Sequence, residues 1–112
     1  MNMNEEVSNL SSSPQDLAAM IAVQPKAVVS RTLVNKPTGT VTLFAFDASE
    51  GLSEHTAPYD ALVHVLDGEA GVRIGSQEHT VGAGQIILMP GNVPHALKAN
   101  KPFKMLLIMV KA

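Results

Sequence analysis

The sequence contains no cysteine and no tryptophan, and only 4% of its residues are aromatic. Without cysteine, a disulfide framework, a thiolate metal site and a cysteine nucleophile are all excluded. The formal net charge of −2 provides neither a basic footprint for nucleic acid nor a polybasic patch for a membrane. No apolar run approaches the ~18 residues of a membrane span, and the polar start with Glu5 and Glu6 is unlike a targeting peptide. We therefore expect a cytoplasmic protein without nucleic-acid or membrane partners.

Charged residues are scarce as well, at 16% of the chain against 46% apolar residues. A chain of 112 residues is long enough for one domain with a substantial core, and too short for two. So low a charge content suggests that further surface is buried between subunits. The 8 glycines and 7 prolines interrupt the chain at frequent intervals, which favours short strands over long helices.

The N-terminal part has two segments of different character. Residues 1–12 show no periodicity and are predicted to form a flexible arm, with a single domain over residues 13–112. Ser13 followed by Pro14 is typical of a helix start, with Ser13 as the N-cap. We expect one short helix that ends before Pro25 and turns apolar side chains, including Leu17 and Met20, toward a larger body.

From Ala27 onward the pattern indicates strands. Residues 40–46 alternate, with Val41, Leu43 and Ala45 on one side and Phe44 and Phe46 on the other. Asp67-Gly68 and Gly75-Ser76 are tight-turn signals. About nine strands at intervals of roughly 8–12 residues predict an all-β antiparallel sandwich or barrel.

Two stretches carry a family resemblance. Gly84, then five residues, Pro90, Gly91 and finally His95 reproduce the frame of the second cupin motif, although the motif's glycine position holds Asn92 and its terminal asparagine position holds Ala99. The first motif keeps its frame from Gly51 to Gly68, with His55 at the first histidine. The chain therefore resembles a small single-domain cupin of the RmlC-like type. The resemblance implies a jelly-roll barrel, or double-stranded β-helix, with the short N-terminal helix added.

Cupins usually bind one divalent metal through two histidines, a glutamate and a later histidine. Carried over by position, only His55 and His95 remain, because Ala57 and Ala61 stand at the other two ligand positions. The resemblance thus implies at most a weak site for Fe, Mn, Ni or Zn, since such metals usually need three protein ligands.

Four nearby residues are candidates for a further ligand. Strand alternation turns Asp60 and His64 away from the cavity unless a bulge intervenes. Tyr59 and Asn92 lie in predicted turns at the rim and could reach inward. The methionines Met89, Met105 and Met109 are predicted to be adaptable core or pocket lining.

Three hypotheses about function remain open at this point. The first is a small-molecule-binding cupin whose cavity is lined by His55, His95, Tyr59, Asn92 and Met89. The second is a metal-dependent enzyme, similar to cupin dioxygenases or isomerases, with a reduced ligand set held by the two histidines. The third is a structural barrel without a ligand. Whether the protein is an enzyme is left open.

A homodimer is also expected. The run from Phe103 to Val110 is apolar on both faces, as in a strand covered by the core on one side and by a partner or the helix on the other. Small cupins commonly form dimers. We expect the strands within residues 27–46 and 103–110 to contribute to the interface.

Overall fold

The computed structural model describes residues 4–7 and 10–111 and contains ten strands within those ranges. The strands are β1 (Asn4–Val7), β2 (Val28–Lys36), β3 (Gly39–Phe46), β4 (Gly51–His55), β5 (Asp60–Asp67), β6 (Glu69–Ile74), β7 (Gln77–Gly82), β8 (Ile86–Met89), β9 (His95–Ala99) and β10 (Phe103–Val110). A 3₁₀ turn spans Leu17–Met20. In the described part of the chain, no helix is long and apolar enough to cross a membrane.

The strands form two sheets whose order interleaves distant parts of the chain. One sheet has six strands in the order β1-β2-β3-β10-β5-β8, and the other has four in the order β4-β9-β6-β7. The last strand, β10, lies between β3 and β5 and is antiparallel to both. This arrangement is the jelly-roll barrel that the sequence predicts.

The barrel core draws on the inward side of both sheets. Along β5, Ala61, Val63 and Val65 are buried while the residues between them are less so. Phe46 and Phe103 stack in this core with ring centroids 4.4 Å apart. The alternation predicted for residues 40–46 is confirmed, because Phe44 and Phe46 pack in the barrel core and Leu43 and Ala45 pack on the opposite face.

The outer face of the six-stranded sheet has a second, smaller core. Ile21, Leu33, Leu43 and Ala45 are buried there, with Leu17, Met20 and Val23 packed against them. The N-terminal segment therefore covers β2 and β3 from outside. As a result, both faces of β3 pack against other parts of the chain.

The predicted N-terminal helix is wrong in extent and in its first residue. The only helical element that the structure describes in this segment is the 3₁₀ turn, which follows Asp16, and Ile21 is already extended at φ −147°. Two backbone carbonyls that a helix would pair with its own amides instead accept hydrogen bonds from positively charged side chains. Arg31 donates to the Met20 carbonyl and Lys104 Nζ to the Ala18 carbonyl, each at 2.8 Å. The segment can therefore lie flat on the sheet.

The structure also differs from the predicted arm over residues 1–12. Asn4–Val7 form strand β1, which pairs in parallel with β2. Residues 1–3 and 8–9 of that prediction lie outside the described residues.

Candidate functional site

Two turns meet at one end of the barrel and set the position of the site. Residues 56–59 connect β4 to β5 and residues 90–94 connect β8 to β9, so both connections pass between the two sheets. The Gly91 amide donates to Asp60 Oδ1 at 2.9 Å. The Asn92 amide donates to the Ala57 carbonyl at 2.7 Å. These two hydrogen bonds bind the turns to each other.

The contact between the turns leaves little room for a side chain at position 91. A Cβ atom there would lie 3.1 Å from the Tyr59 carbonyl carbon and 3.2 Å from that of Pro58. The next residue, Asn92, has φ +66°, a left-handed conformation that asparagine tolerates better than most residues. The order Gly91-Asn92 therefore follows from the geometry of this turn.

The two turns position two histidines opposite each other. His55 ends β4, His95 begins β9, and the two residues are register partners in the four-stranded sheet. Their Nε2 atoms are 3.0 Å apart and the ring planes are 77° apart. The predicted convergence of His55 and His95 is what the structure shows.

The backbone determines which nitrogen of each ring carries a proton. His55 Nδ1 lies 2.9 Å from the Ser53 carbonyl, and His95 Nδ1 lies 3.2 Å from the Val93 carbonyl. A carbonyl oxygen only accepts hydrogen bonds, so both Nδ1 atoms must donate. The two Nε2 atoms then face each other and need one further proton between them. The three hydrogen bonds, one at each Nδ1 and one between the Nε2 atoms, need three protons. Two neutral imidazoles carry only two, so the full set of three bonds forms when the pair has taken up one more proton.

A second added proton is opposed by the surroundings of His95. His95 is 3% exposed, whereas His55 is exposed. Burial lowers the pKa of His95 below its ordinary value of 6.5, and charge on His55 lowers it further, while the Val93 carbonyl acts in the opposite direction. Protonation of His95 is therefore opposed both by its burial and by its neighbour His55.

The pair closes one side of an apolar cavity inside the barrel. The lining residues are Leu52, His55, Ala57, Tyr59, Ala61, Met89, His95, Leu97, Met105, Leu107 and Met109. The unfilled volume is about 20 Å³, which is room for roughly one water molecule. The cavity is thus much smaller than a pocket for a drug-sized ligand.

Of the predicted ligand-binding residues, His55, His95, Tyr59 and Met89 line this cavity. Asn92 does not line it. This residue is exposed in the turn, and its backbone amide donates a hydrogen bond to the Ala57 carbonyl. The predicted placement of Met105 and Met109 as core or pocket lining is confirmed.

Neither of the other candidate ligands reaches the cavity. Asp60 accepts the Gly91 amide. His64 is the register partner of Leu106 and Ile86 on the outer face of the six-stranded sheet, as strand alternation predicts.

Three leucines of the lining, Leu52, Leu97 and Leu107, are not among the residues that the sequence pattern identifies. A usable signal exists for two of them. Leu97 lies two residues after His95, and Leu107 lies between Met105 and Met109 at the same spacing, so alternation places them on the inward face.

The donor set does not fit the metal that cupins usually bind. The two Nε2 atoms are close enough to share an ion, and each Nδ1 is held by a carbonyl as in many metal-binding histidines. However, within residues 4–7 and 10–111 no group of three or more His, Cys, Asp or Glu could hold a metal. Ala57 and Ala61 line the cavity where the family places ligands.

Comparison with known proteins supports the fold. The family model for the cupin domain matches residues 42–110. This chain belongs to the cupin family. No curated protein matches it at a significant level.

Several solved cupin-like structures resemble the chain over its whole length. A conserved protein of unknown function from Streptococcus pyogenes is 34% identical, with a TM-score of 0.90 over 99% of this chain and 98% of the other. A cupin superfamily protein from Desulfitobacterium hafniense is 25% identical, with a TM-score of 0.87 over 100% of both chains.

A third cupin is longer. The cupin 2 conserved barrel domain protein from Leptotrichia buccalis is 41% identical, with a TM-score of 0.82 over 84% of this chain and 46% of that chain. None of the three descriptions states a substrate, so the comparisons establish family and fold and leave the ligand to be found.

Replacing Gly91 by alanine should loosen the contact between the two turns. The new Cβ would press on the backbone of Pro58 and Tyr59, which lies between Ala57 and Asp60, the two residues that hydrogen-bond to this turn. We expect the free energy of unfolding to fall by ~1–3 kcal/mol, measured by urea denaturation. Gly82→Ala is the matched control, because its Cβ would meet only Gln85 Oε1 at 3.5 Å. Equal stability of Gly91→Ala and the parent protein would contradict the proposed packing.

Stability should also fall in mild acid because of His95. The folded-state pKa of His95 is below 6.5, so the unfolded chain binds more protons once the pH drops under that value. Folding stability is then fully present above about pH 6.5 and declines as the pH falls toward the lower, folded-state pKa. Urea denaturation at several pH values between about 7 and 5 measures this slope. A flat or opposite slope, or an equal slope in His95→Gln, would show that His95 is not its source.

Proposed function

We propose that this cupin binds a small molecule at the mouth of its barrel, with His55 and His95 as the polar anchors. The observation that carries the proposal is the convergence of the two Nε2 atoms, 3.0 Å apart, beside an otherwise apolar lining. Binding sites of this kind combine an apolar wall with a few convergent polar groups that fix the orientation of the ligand.

The size of the cavity restricts the ligand. About 20 Å³ admits no organic molecule while the lining keeps its present positions. Three of the lining side chains are methionines, which are unbranched and move among rotamers at small cost. A ligand with a compact apolar body, such as a small carbonyl or aromatic compound, could enter if Met89, Met105 or Met109 moved aside.

The rim supplies the polar contacts for such a ligand. His55 is exposed and Tyr59 is 36% exposed, so both can be reached from solvent, whereas His95 is buried behind His55. A polar head would contact the imidazole of His55 first. The apolar body would then point toward Met89 and Leu107.

The metal-dependent enzyme is not favoured by the described residues, because this chain offers two ligands where a metal usually needs three. Fe, Mn, Ni or Zn would have to take further ligands from the bound molecule or from water. Metal analysis of protein purified without chelator decides this point. Stoichiometric metal that disappears in a His55→Ala plus His95→Ala variant would overturn the proposal of a metal-free site.

Ligand binding can be tested through the methionine methyl groups. Small carbonyl and aromatic compounds are titrated into protein labelled at the methionine methyls, and melting temperature is followed in parallel. We expect a binding compound to shift the Met89, Met105 and Met109 signals and to raise the melting temperature by mass action. Binding should weaken several-fold in His55→Ala, because a hydrogen bond contributes roughly 0.5–1.5 kcal/mol.

His79→Ala is the matched control, since His79 is an exposed histidine of β7 that does not line the cavity. It should leave affinity unchanged. Compounds that bind without moving these methyl signals, or that bind His55→Ala as tightly as the parent, would contradict the site. A screen of such compounds that shifts neither signals nor melting temperature would instead favour the structural barrel.

A further inference from the structure

We propose that the molecule bound at the mouth of the barrel is a small carboxylate, and that Lys111 selects it by charge. This inference rests on the ligand site proposed above and adds the chemical class of the ligand. The observation that carries it is the Lys111 ammonium, which lies over the Tyr59 ring with Nζ 5.7 Å from the ring centroid. Tyr59 lines the cavity and is 36% exposed, so this cation stands beside the opening.

Strand register brings Lys111 to the mouth. Strands β10 and β5 are antiparallel, and Val110 at the end of β10 is the partner of Asp60 at the start of β5. The next residues beyond this pair are Lys111 and Tyr59, which therefore lie opposite each other. Alternation places Lys111 on the same face as Met109, which lines the cavity. The lysine thus continues the inward-facing row of β10 at the mouth of the barrel.

The backbones on which these two side chains stand are both held in place. The Lys111 amide donates to the Thr38 carbonyl at 2.8 Å, which ties the end of β10 to the turn between β2 and β3. Tyr59 belongs to the turn that two hydrogen bonds hold against residues 91–92. An ammonium within ~6 Å of a ring centroid is attracted to the negative face of the ring. The Tyr59 ring therefore keeps a flexible lysine side chain beside the opening.

The charge that an entering molecule meets beside Tyr59 is positive. The cavity lining contains no aspartate and no glutamate. Within residues 4–7 and 10–111 the only ion pair is that of Arg73 with Glu54, so none of those residues pairs with the Lys111 ammonium. Asp60, the nearest carboxylate along the chain from Tyr59, accepts the backbone amide of the neighbouring turn. The ammonium is therefore available to a negatively charged ligand.

These groups fit the anionic head and apolar body of a small carboxylate. Carboxylate oxygens accept hydrogen bonds, and the Lys111 ammonium and the Tyr59 hydroxyl can both donate them. A charge-assisted hydrogen bond is roughly twice as strong as a neutral one, so an amide of the same shape gains less. Met109 and Leu107 supply an apolar wall for the body of the molecule. One ammonium also matches the single charge of a carboxylate better than the double charge of a phosphate.

The first test compares molecules that differ in charge and share a shape. Isobutyrate with isobutyramide, and benzoate with benzamide, are titrated into protein labelled at the methionine methyls. We expect each carboxylate to bind more tightly than its amide, and Lys111→Gln to reduce that preference ~2–5-fold, as for an exposed ion pair. Lys111→Arg should restore it, because arginine keeps the charge and the attraction to the ring. Lys101→Gln is the matched control, since it removes the same charge from an exposed position before β10.

The second test needs no ligand. Tyr59 is the single tyrosine of a chain without tryptophan, so the fluorescence of the protein reports on this ring alone. Iodide is an anionic quencher of this fluorescence and acrylamide is a neutral one. We expect the ratio of iodide to acrylamide quenching to fall in Lys111→Gln, because no cation beside the ring attracts iodide, and to stay unchanged in Lys101→Gln. High salt should remove the difference by screening.

The outcomes distinguish this inference from the ligand site on which it rests. If the amides bind as tightly as the carboxylates, or if Lys111→Gln keeps the full preference, the ligand site stands and selection by Lys111 is overturned. If none of the four compounds binds the parent protein, both proposals are overturned. An unchanged iodide ratio in Lys111→Gln would contradict the position of the cation, whatever the ligands do. Circular dichroism of each variant verifies that it is folded.

Discussion

The packing of the Pro58–Asp60 turn against the Pro90–Asn92 turn is the constraint on which the site depends. Each turn carries the chain from one sheet to the other, so their contact joins the sheets at one end of the barrel. Two hydrogen bonds hold the turns, and the space between them is tight for a side chain at Gly91. The strands on either side then place His55 opposite His95. Gly91 acts here through backbone geometry, and His95 acts through its ring.

The histidine pair shows how a barrel of this family can keep the frame of a metal site without its ligands. Where the family has a second histidine and a glutamate, this chain has Ala57 and Ala61, which leave apolar walls. The remaining imidazoles satisfy each other and the carbonyls of Ser53 and Val93 when they share a proton. The 3.0 Å between the two Nε2 atoms is the length of a hydrogen bond. The cavity volume of about 20 Å³ is small because apolar side chains of the lining occupy most of the space.

Much of this fold can be predicted from the sequence because local chemistry determines it. Turn residues mark the strand ends, alternation separates Leu43 from Phe44, and the same alternation turns His64 outward. The spacing of the two motifs is enough to predict that His55 and His95 face one cavity. The predicted N-terminal helix is only a 3₁₀ turn in the structure. Arg31 and Lys104, which are distant in sequence, donate hydrogen bonds to carbonyls that a longer helix would pair with its own amides. Asn92 is not part of the cavity lining, and its left-handed backbone instead shapes the turn.

The features that sequence could not supply depend on several elements at once. Cavity volume depends on how Met89, Met105 and Met109 fill the space between sheets, which composition does not encode. The exposure of Ile86 and Leu88 depends on which half of the outer face the N-terminal segment covers. Both follow only from the assembled barrel.

The central claim is that the Ser53 and Val93 carbonyls fix both Nδ1 atoms as donors, so that the two Nε2 atoms face each other as a hydrogen-bonding pair. Nitrogen-15 NMR of the imidazole rings, followed through a pH titration with assigned His55 and His95 signals, tests it most directly. The account predicts that uptake of the first proton changes the Nε2 shifts of both rings together while both Nδ1 shifts stay those of protonated nitrogen. A shift change confined to one ring, or an Nδ1 of either ring that titrates, would contradict it.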